Sequence, residues 1–202
     1  MRTDSISFGA KPINNPIRKI FDRKSIKYTD LPAEFVKLEH TDIKAIDSIA
    51  ETWENAQYAK KIATASHWMQ SLPIEIYALT GQKDNFHKLD PTKIFALAVM
   101  KPDDKRKGFK WLYYLQVKPE MINVDNNGRK FYRHTGTAML NSLKRIYSKI
   151  SLYSTESKNV KAFYENNGFV EDYTGENHYI WTSNIISRLK LKLEKMMIKF
   201  GL

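Results

Sequence analysis

The chain has 202 residues, of which 42% are hydrophobic and 12% aromatic, a composition ordinary for one soluble globular domain. It carries a formal net charge of +11 and contains no cysteine, which excludes disulfides and thiolate metal sites. No apolar run approaches the roughly 20 residues of a membrane span, and the first residues lack the apolar stretch of a secretory signal. We therefore expect a cytoplasmic protein without a transmembrane segment.

The positive charge is concentrated at the two ends of the chain. Residues 1–30 carry seven Lys or Arg against three Asp, and residues 183–202 carry five against one Glu, so each end supplies +4. Of the total of +11, only +3 is left for the residues between them. Basic ends are most often solvated, but they leave open a polyanionic partner such as RNA, an acidic protein or a membrane surface.

Three segments are predicted along the chain. Residues 1–30 contain two prolines, an Asn pair and scattered charges, which indicates a basic N-terminal extension that is at most partly ordered. Folded structure is expected to begin near Phe35, within a single domain over residues 31–182. Residues 183–202 repeat apolar side chains at helical spacing opposite basic ones. They predict a basic amphipathic helix that packs on its own domain or on a second subunit.

Helix and strand patterns follow one another from Phe35 onward. A strand over 35–39 precedes a helix that Thr41 and Asp42 can cap, and a second helix covers 56–69. Strands are predicted over 75–80, 94–100 and 109–117, the last being the longest β-favourable run. After a loop over 118–132 come a helix over 137–148, a strand over 149–154, a helix over 157–167 and a closing strand over 177–182.

A candidate anion site lies where the loop over 118–132 meets the next helix. Small residues stand at the start of an apolar helical run expected to begin near Thr137, in the segment Arg133-His134-Thr135-Gly136-Thr137-Ala138. Backbone N–H groups and the positive end of the helix dipole converge on an anion at such a position, and a pyrophosphate is the natural ligand. Gly136 and Ala138 let phosphate oxygens approach the amides, while Arg133 adds a charge at the rim.

A second motif, Phe163-Tyr164-Glu165-Asn166-Asn167-Gly168-Phe169, begins 25 residues after Ala138, the last residue of the first motif. Arg-x-x-Gly-x-Ala, a helix, a short β-rich run, a second helix and Phe-Tyr-x-x-x-Gly-Phe together resemble the GNAT superfamily of N-acetyltransferases, which use acetyl-CoA. The resemblance covers residues 93–182 by motif and 35–92 by the order of elements. It implies an α/β (α+β) fold with a mixed, mostly antiparallel central sheet of six to seven strands flanked by helices, to which the C-terminal amphipathic helix is added.

The resemblance also implies roles for individual residues. The loop residues Arg133, His134, Thr135, Gly136, Thr137 and Ala138 hold the CoA pyrophosphate, and the backbone of Leu115, Gln116 and Val117 pairs with the pantetheine arm as an added strand. Tyr164 lies near the thioester sulfur. Because a thiol is a stronger acid than a phenol by about 1.5 pKa units, we expect Tyr164 to hydrogen-bond the leaving thiolate rather than protonate it fully.

Two positions depart from the family pattern. Glycine usually follows the Arg of the loop, whereas His134 stands here, so its side chain is expected to point to solvent. An Asn seven residues before the Tyr often binds CoA, and that position is Ser157 in this chain. Asn159 is two residues out of register, which turns its side chain about 200° around the helix. Both are cofactor-binding candidates, and the geometry favours Ser157.

The implied reaction is transfer of an acetyl group from acetyl-CoA to an amine on a small metabolite, a peptide or an aminoacylated RNA. No cysteine is present to carry the acetyl group, so direct transfer in a ternary complex is favoured. A lysine-type amine costs about 4 to 5 kcal/mol to deprotonate at pH 7 and therefore needs a base. Glu54, Glu75, Glu156 and His178 are all open candidates for that base.

Two other functions fit the same residues. The chain could be a non-catalytic acyl-CoA-binding protein, or a basic nucleic-acid or ribosome-associated module on the same architecture. The five histidines show no metal-ligand spacing, so acetyl-CoA is the expected co-substrate and no metal is predicted. The identity of the acceptor amine and the presence of a homodimer are left open by the sequence.

Overall fold

The computed structural model describes residues 11–12, 17–22, 29–53, 57–69, 71–86, 88–122, 132–172 and 177–200. The chain divides into two compact units. The first contains Met1–Met100 and Tyr114–Ser142, and the second contains Lys101–Tyr113 and Leu143–Leu202. The chain passes between the units within two strands and within one helix, so these elements contribute residues to both.

The elements follow in chain order. They are β1 (Lys11–Pro12), β2 (Ile17–Asp22), β3 (Thr29–Lys37), α1 (Ile43–Thr52), α2 (Gln57–Ser66), β4 (Glu75–Thr80), β5 (Ile94–Pro102), β6 (Lys110–Val117), β7 (Tyr132–Arg133), α3 (Thr135–Ile146), β8 (Lys149–Tyr153), α4 (Lys158–Asn166), β9 (Val170–Glu171), β10 (His178–Thr182) and α5 (Ile185–Phe200). Short 3₁₀ turns precede α1 and β5 and follow β6.

The first unit is an antiparallel sheet with two helices packed on it. Its strand order is β7-β2-β3-β4-β5, and β1 also pairs with β3. Helix α1 buries Ile43, Ile46 and Ile49, which recur at helical spacing and so form one apolar stripe. That stripe packs with α2 on apolar strand residues such as Ile76 and Val99, and the resulting cluster is the core of this unit.

The sheet begins earlier in the chain than the sequence indicates. Strand β3 starts at Thr29 rather than near Phe35, and β2 pairs with it from Asp22 opposite Thr29 to Ile17 opposite Ala33. The predicted start near Phe35 is therefore wrong. A register shift between Ile17 and Ile20 breaks the alternation that identifies a strand, so the pairing is invisible in a local pattern. Residues 1–10, 13–16 and 23–28 of the predicted extension lie outside the described residues.

The second unit carries a mixed sheet in the order β6-β8-β10-β9. Strands β6 and β8 are parallel, with Lys110 opposite Ile150 and Trp111 opposite Ser151, whereas β10 is antiparallel to both of its neighbours. The short strand β9 has no counterpart in the predicted elements. Since every other pairing in either unit is antiparallel, the predicted α/β fold with a mixed, mostly antiparallel sheet and flanking helices is confirmed.

Helix α5 leaves an apolar stripe exposed. It begins at Ile185, where the Asn184 side chain accepts a hydrogen bond from the Ile186 amide at 2.9 Å. Six apolar side chains are about half or more exposed along it, namely Ile185, Ile186, Leu189, Leu193, Met196 and Met197. Packing of this helix on a second subunit stays a prediction. Within the described ranges, no helix is both long and apolar enough to cross a membrane.

Two basic side chains, Lys144 of α3 and Arg188 of α5, lie near each other in the second unit. Lys144 of α3 donates a hydrogen bond to the Asn167 carbonyl, and its ammonium lies 4.9 Å from the Phe169 ring centroid and 5.4 Å from that of Trp181. Burial lowers the pKa of Lys144 to about 8, and the positive charge of Arg188 acts in the same direction. Cation–π contacts and one carbonyl thus hold a lysine that burial disfavours in its charged form.

We predict that Lys144 makes the stability of the protein rise with pH. Its pKa is about 8 in the folded protein against 10.5 for an ordinary lysine, so the folded chain releases this proton first as the pH rises. The free energy of unfolding should therefore increase between pH 8 and 9.5. Urea unfolding across this range should show the increase in the wild type and in Lys158→Met, an exposed control, and lose it in Lys144→Met. Parallel curves for Lys144→Met and wild type would contradict the assignment.

Candidate functional site

The turn between β7 and α3 forms the mouth of the predicted anion site in the first unit. Arg133 ends β7 and pairs with Phe21 of β2, and α3 starts at Thr135, two residues before the expected start near Thr137. The earlier start has a local cause. His134 adopts a left-handed conformation with φ of 65°, and its carbonyl accepts a hydrogen bond from the Ala138 amide at 2.7 Å. His134 is therefore the residue that turns the strand into the helix.

Several hydrogen-bond donors collect at this helix start. Residues Thr135, Gly136 and Thr137 occupy the first turn, where helix geometry gives their N–H groups no intrahelical acceptor. The Thr135 side chain is 3% exposed, and among the described residues its hydroxyl has no hydrogen-bond partner. A buried hydroxyl beside open amides is costly unless an acceptor arrives. A phosphate oxygen would satisfy both kinds of donor at once.

The His134 side chain is exposed, which agrees with the expectation that it points to solvent. A left-handed residue at this position explains why glycine is the usual family choice, because glycine adopts positive φ without cost. Ala138 is buried and Gly136 is half-buried, so neither position places a bulky side chain at the helix start. For Arg133 the structure describes the backbone alone, so the predicted contact of its side chain with a phosphate stays a prediction.

The predicted pantetheine strand is the end of β6. Leu115, Gln116 and Val117 are half-buried there. On one edge the Lys118 amide donates to the Phe95 carbonyl at 2.8 Å, and the Gln116 side-chain amide donates to the Val117 carbonyl at 2.9 Å. Pairing of this backbone with a pantetheine arm stays a prediction. A pantetheine arm that pairs here would share the Val117 carbonyl with the Gln116 side chain as a hydrogen-bond acceptor.

A cavity of about 360 Å³ in the first unit adjoins the start of the 118–132 loop. It is lined by the end of α1, including Thr52 and Trp53, and by Thr92, Lys118 and Glu120. The Lys118 ammonium lies 3.0 Å from the Glu120 carboxylate and donates to the Thr92 carbonyl at 3.2 Å. These contacts fix the beginning of the loop, whose residues 123–131 lie outside the described part of the chain.

Tyr164 lies on α4 in the second unit, three residues before the cap residue Asn167. Gly168 takes φ of 77°, its amide donates to the Glu165 carbonyl at 2.8 Å, and the Phe169 amide donates to the Tyr164 carbonyl at 3.1 Å. These two bonds form a Schellman motif, which confirms the predicted left-handed end at Gly168. The Tyr164 and Phe169 rings meet edge to face with centroids 5.7 Å apart. Tyr164 thus packs at the helix end, and its predicted place beside the thioester sulfur stays a prediction.

Ser157 and Asn159 are both exposed at the start of α4. Ser157 is the N-cap residue by its backbone, since its carbonyl accepts from the Val160 and Lys161 amides at 3.0 Å, but its hydroxyl makes no capping hydrogen bond. Asn159 is the second residue of the helix. Their roles in binding CoA stay predictions.

The four candidate bases differ in their surroundings. Glu75 lies 2.9 Å from the Lys37 ammonium and also accepts from the Tyr77 hydroxyl. Glu156 is exposed, and Glu54 lies outside the described residues. His178 is buried at 5% exposure, and its Nδ1 lies 2.9 Å from a carboxylate oxygen of Asp172. Because an ionised carboxylate only accepts, this contact requires a proton on Nδ1 of His178.

The same carboxylate of Asp172 also binds the Arg106 guanidinium, so a chain of three polar side chains, two of them buried, links β10 to the β5–β6 hairpin of the second unit. His178 and Arg106 line a cavity of about 480 Å³ in that unit. The other lining residues are Asp103, Asp104, Lys105, Trp111 and Tyr153. This arrangement escaped the sequence analysis, because its members are far apart in the chain and carry no common motif.

The described residues bring no three His, Asp or Glu side chains together in a metal-binding group. The absence of a metal remains an expectation. Two contributions to the anion site were likewise not predicted. The unpartnered Thr135 hydroxyl depends on burial, and the pairing of Phe21 with Arg133 depends on a long-range register. Local sequence patterns report neither.

The fold can be compared with solved structures. AtaTR bound with AcCoA aligns at a TM-score of 0.53 and 9% identity, covering 80% of this chain and 96% of that one. The chain has the GNAT N-acetyltransferase fold. Other proteins with the GNAT fold align at lower scores. PaiA N-acetyltransferase from Thermoplasma acidophilum, in complex with coenzyme A, gives 18% identity and a TM-score of 0.47, covering 73% of this chain and 96% of that one. An acetyltransferase from Thermus thermophilus gives 12% and 0.49, with coverage of 74% and 96%.

No protein-family model matches the sequence, and no curated protein matches it either. The GNAT fold is therefore established by structure and not by sequence relatives. The expected fold is confirmed, whereas the predicted site residues rest on their local geometry.

Proposed function

We propose that the chain is an acetyl-CoA-dependent N-acetyltransferase that moves the acetyl group directly to an amine. The observation that carries this proposal is the start of α3, where first-turn amides lack an intrahelical acceptor and the buried Thr135 hydroxyl has no partner among the described residues, so that these donors suit a diphosphate. The GNAT fold supports it, and the structural neighbour AtaTR is bound with AcCoA.

The proposed reaction forms the amide C–N bond and breaks the C–S bond and one N–H bond. The neutral amine nitrogen attacks the thioester carbonyl carbon, CoA leaves as a thiolate, and the nitrogen passes its proton to a base, for which Glu54, Glu75, Glu156 and His178 are the candidates. Amides and the Thr135 hydroxyl hold the diphosphate, with Arg133 at its rim. Tyr164 donates a hydrogen bond to the thiolate as charge develops on sulfur. Leu115 to Val117 pair with the pantetheine arm. We retain Ser157, with Asn159 second, as CoA contacts.

Direct transfer follows from the absence of cysteine, because no thiol is available to hold the acetyl group between two half-reactions. The protein is proposed to act in the cytoplasm on a small-molecule or peptide amine, with RNA as a further acceptor class. A non-catalytic acyl-CoA binder would share every binding feature named here. It would differ in one observable, since it would release no CoA thiol when amines are added.

Removal of the Thr135 hydroxyl should raise the stability of the free protein and lower its affinity for acetyl-CoA. Thr135→Val removes an unpartnered buried donor, so the free protein should gain about 1 kcal/mol in the free energy of unfolding. The same variant should bind acetyl-CoA about ten-fold more weakly, because one hydrogen bond to the phosphate is lost. Urea unfolding and isothermal calorimetry measure the two effects.

Thr64→Val is the matched control, since Thr64 is an exposed helical threonine whose hydroxyl donates to the Lys60 carbonyl. It should change acetyl-CoA affinity by less than about two-fold. Unchanged acetyl-CoA affinity in Thr135→Val, measured beside this control, would remove the hydroxyl from the site.

Catalysis is tested by Tyr164→Phe in an assay of CoA thiol release over a panel of amines. The wild type should release thiol with at least one amine, and the variant should turn over at least about ten-fold more slowly with nearly unchanged acetyl-CoA affinity, because the lost contact acts on the leaving thiolate. Tyr147→Phe is a matched control in the second unit. Wild-type turnover in Tyr164→Phe would exclude Tyr164 from the mechanism, and silence across the panel with intact CoA binding would favour the non-catalytic binder.

A further inference from the structure

The cavity of about 480 Å³ in the second unit is lined by Trp111 and Tyr153, which with the adjoining Tyr113 form an aromatic wall. Trp111 meets Tyr113 edge to face at 5.2 Å between centroids and meets Tyr153 in the same way at 5.7 Å. Tyr113 is 39% exposed and Tyr153 is 48% exposed, so two of the three rings are open to solvent. A contiguous patch of exposed rings beside a cavity is typical of a ligand-binding surface.

One positive group already occupies part of this wall. The Lys101 ammonium lies 4.2 Å from the Trp111 centroid and 4.3 Å from the Tyr113 centroid. Both distances lie well inside the roughly 6 Å reach of a cation–π interaction, so the pair of rings holds a primary ammonium between them. The Lys101 contact therefore shows that these rings bind a primary ammonium group.

The charge of the cavity also suits a cation. Arg106 is neutralised by the buried Asp172, and the Asp103 carboxylate accepts from the Ser151 hydroxyl and from the Lys105 amide at 2.9 Å. Counting the three carboxylates of Asp103, Asp104 and Asp172 against the cations of Lys101, Lys105 and Arg106 gives a net charge of 0, and −1 once the Lys101 ammonium leaves the wall. The cavity therefore has no share in the excess positive charge of +11 that the chain carries as a whole.

We propose that this cavity binds a primary alkylammonium group on a slender carbon chain, of the lysine or polyamine type, and that such an amine is the acceptor of the reaction. The role of this amine as the acetyl acceptor rests on the proposed function, whereas its binding to the cavity does not. The aromatic wall holds the ammonium and its methylene groups, Asp104 at the exposed rim supplies the opposite charge, and Lys101 competes for the same rings.

The binding is tested without acetyl-CoA, by calorimetric titration of the full chain with 1,5-diaminopentane and with 1,5-pentanediol, its uncharged counterpart. The diamine should bind and the diol should not. Trp111→Leu should weaken diamine binding about ten-fold or more, and Lys101→Met should tighten it several-fold because the internal competitor is removed. Asp104→Asn, an exposed substitution that spares the fold, should weaken binding about three-fold or more.

Trp68→Leu is the control, since Trp68 is a 54% exposed tryptophan of the first unit. It should bind the diamine as the wild type does. Equal binding of diamine and diol overturns the inference, as does wild-type affinity in both Trp111→Leu and Asp104→Asn, or an absence of diamine binding to Lys101→Met. A separate titration with acetyl-CoA distinguishes the two proposals. Diamine binding without CoA binding overturns the proposed function alone, and CoA binding without diamine binding overturns this inference alone.

Discussion

The reversal of the chain at His134 is the constraint on which the proposed site depends. A residue with φ of 65° turns β7 directly into α3, and its carbonyl becomes the first hydrogen-bond acceptor of the helix. The amides of the first turn then point out of the helix start with no acceptor of their own. The buried Thr135 hydroxyl adds a donor in the same place. These donors and the positive end of the helix dipole lie together at the start of α3, where an anion is favoured.

This constraint makes sense of a part of the chain that carries no motif. Strand β2 pairs with β3 on one side and with β7 on the other, so the pairing of Phe21 with Arg133 fixes the last residue before the turn. Strand β2 belongs to the basic N-terminal segment, which the composition predicts to be solvated, yet it pairs with the strand that leads into the proposed site. Loss of the β2–β7 pairing would therefore release the turn at His134 and with it the orientation of the amides in the proposed site.

Motifs and periodicity predict those features that are local. The Arg-x-x-Gly-x-Ala spacing and the Gly168 helix end depend on neighbours within one turn, so the sequence indicated both, and β4 falls on its predicted bounds from Glu75 to Thr80. What escaped is long-range. The register of β2 and the chain from His178 through Asp172 to Arg106 join residues that only the folded sheet brings together. Burial, which leaves Thr135 without a partner, has no signal in residue type.

The two proposals place a diphosphate site in the first unit and an alkylammonium site in the aromatic cavity of the second, one for each reactant of the proposed acetyl transfer. The most direct test of the central claim is calorimetric titration with acetyl-CoA, acetyl-dephospho-CoA and acetyl-pantetheine. The first two retain the diphosphate, and the third lacks it. The account predicts binding of both CoA compounds and at least about 100-fold weaker binding of acetyl-pantetheine, the loss of two charge-assisted hydrogen bonds. Equal affinity for all three, or no heat with any of them, would contradict it.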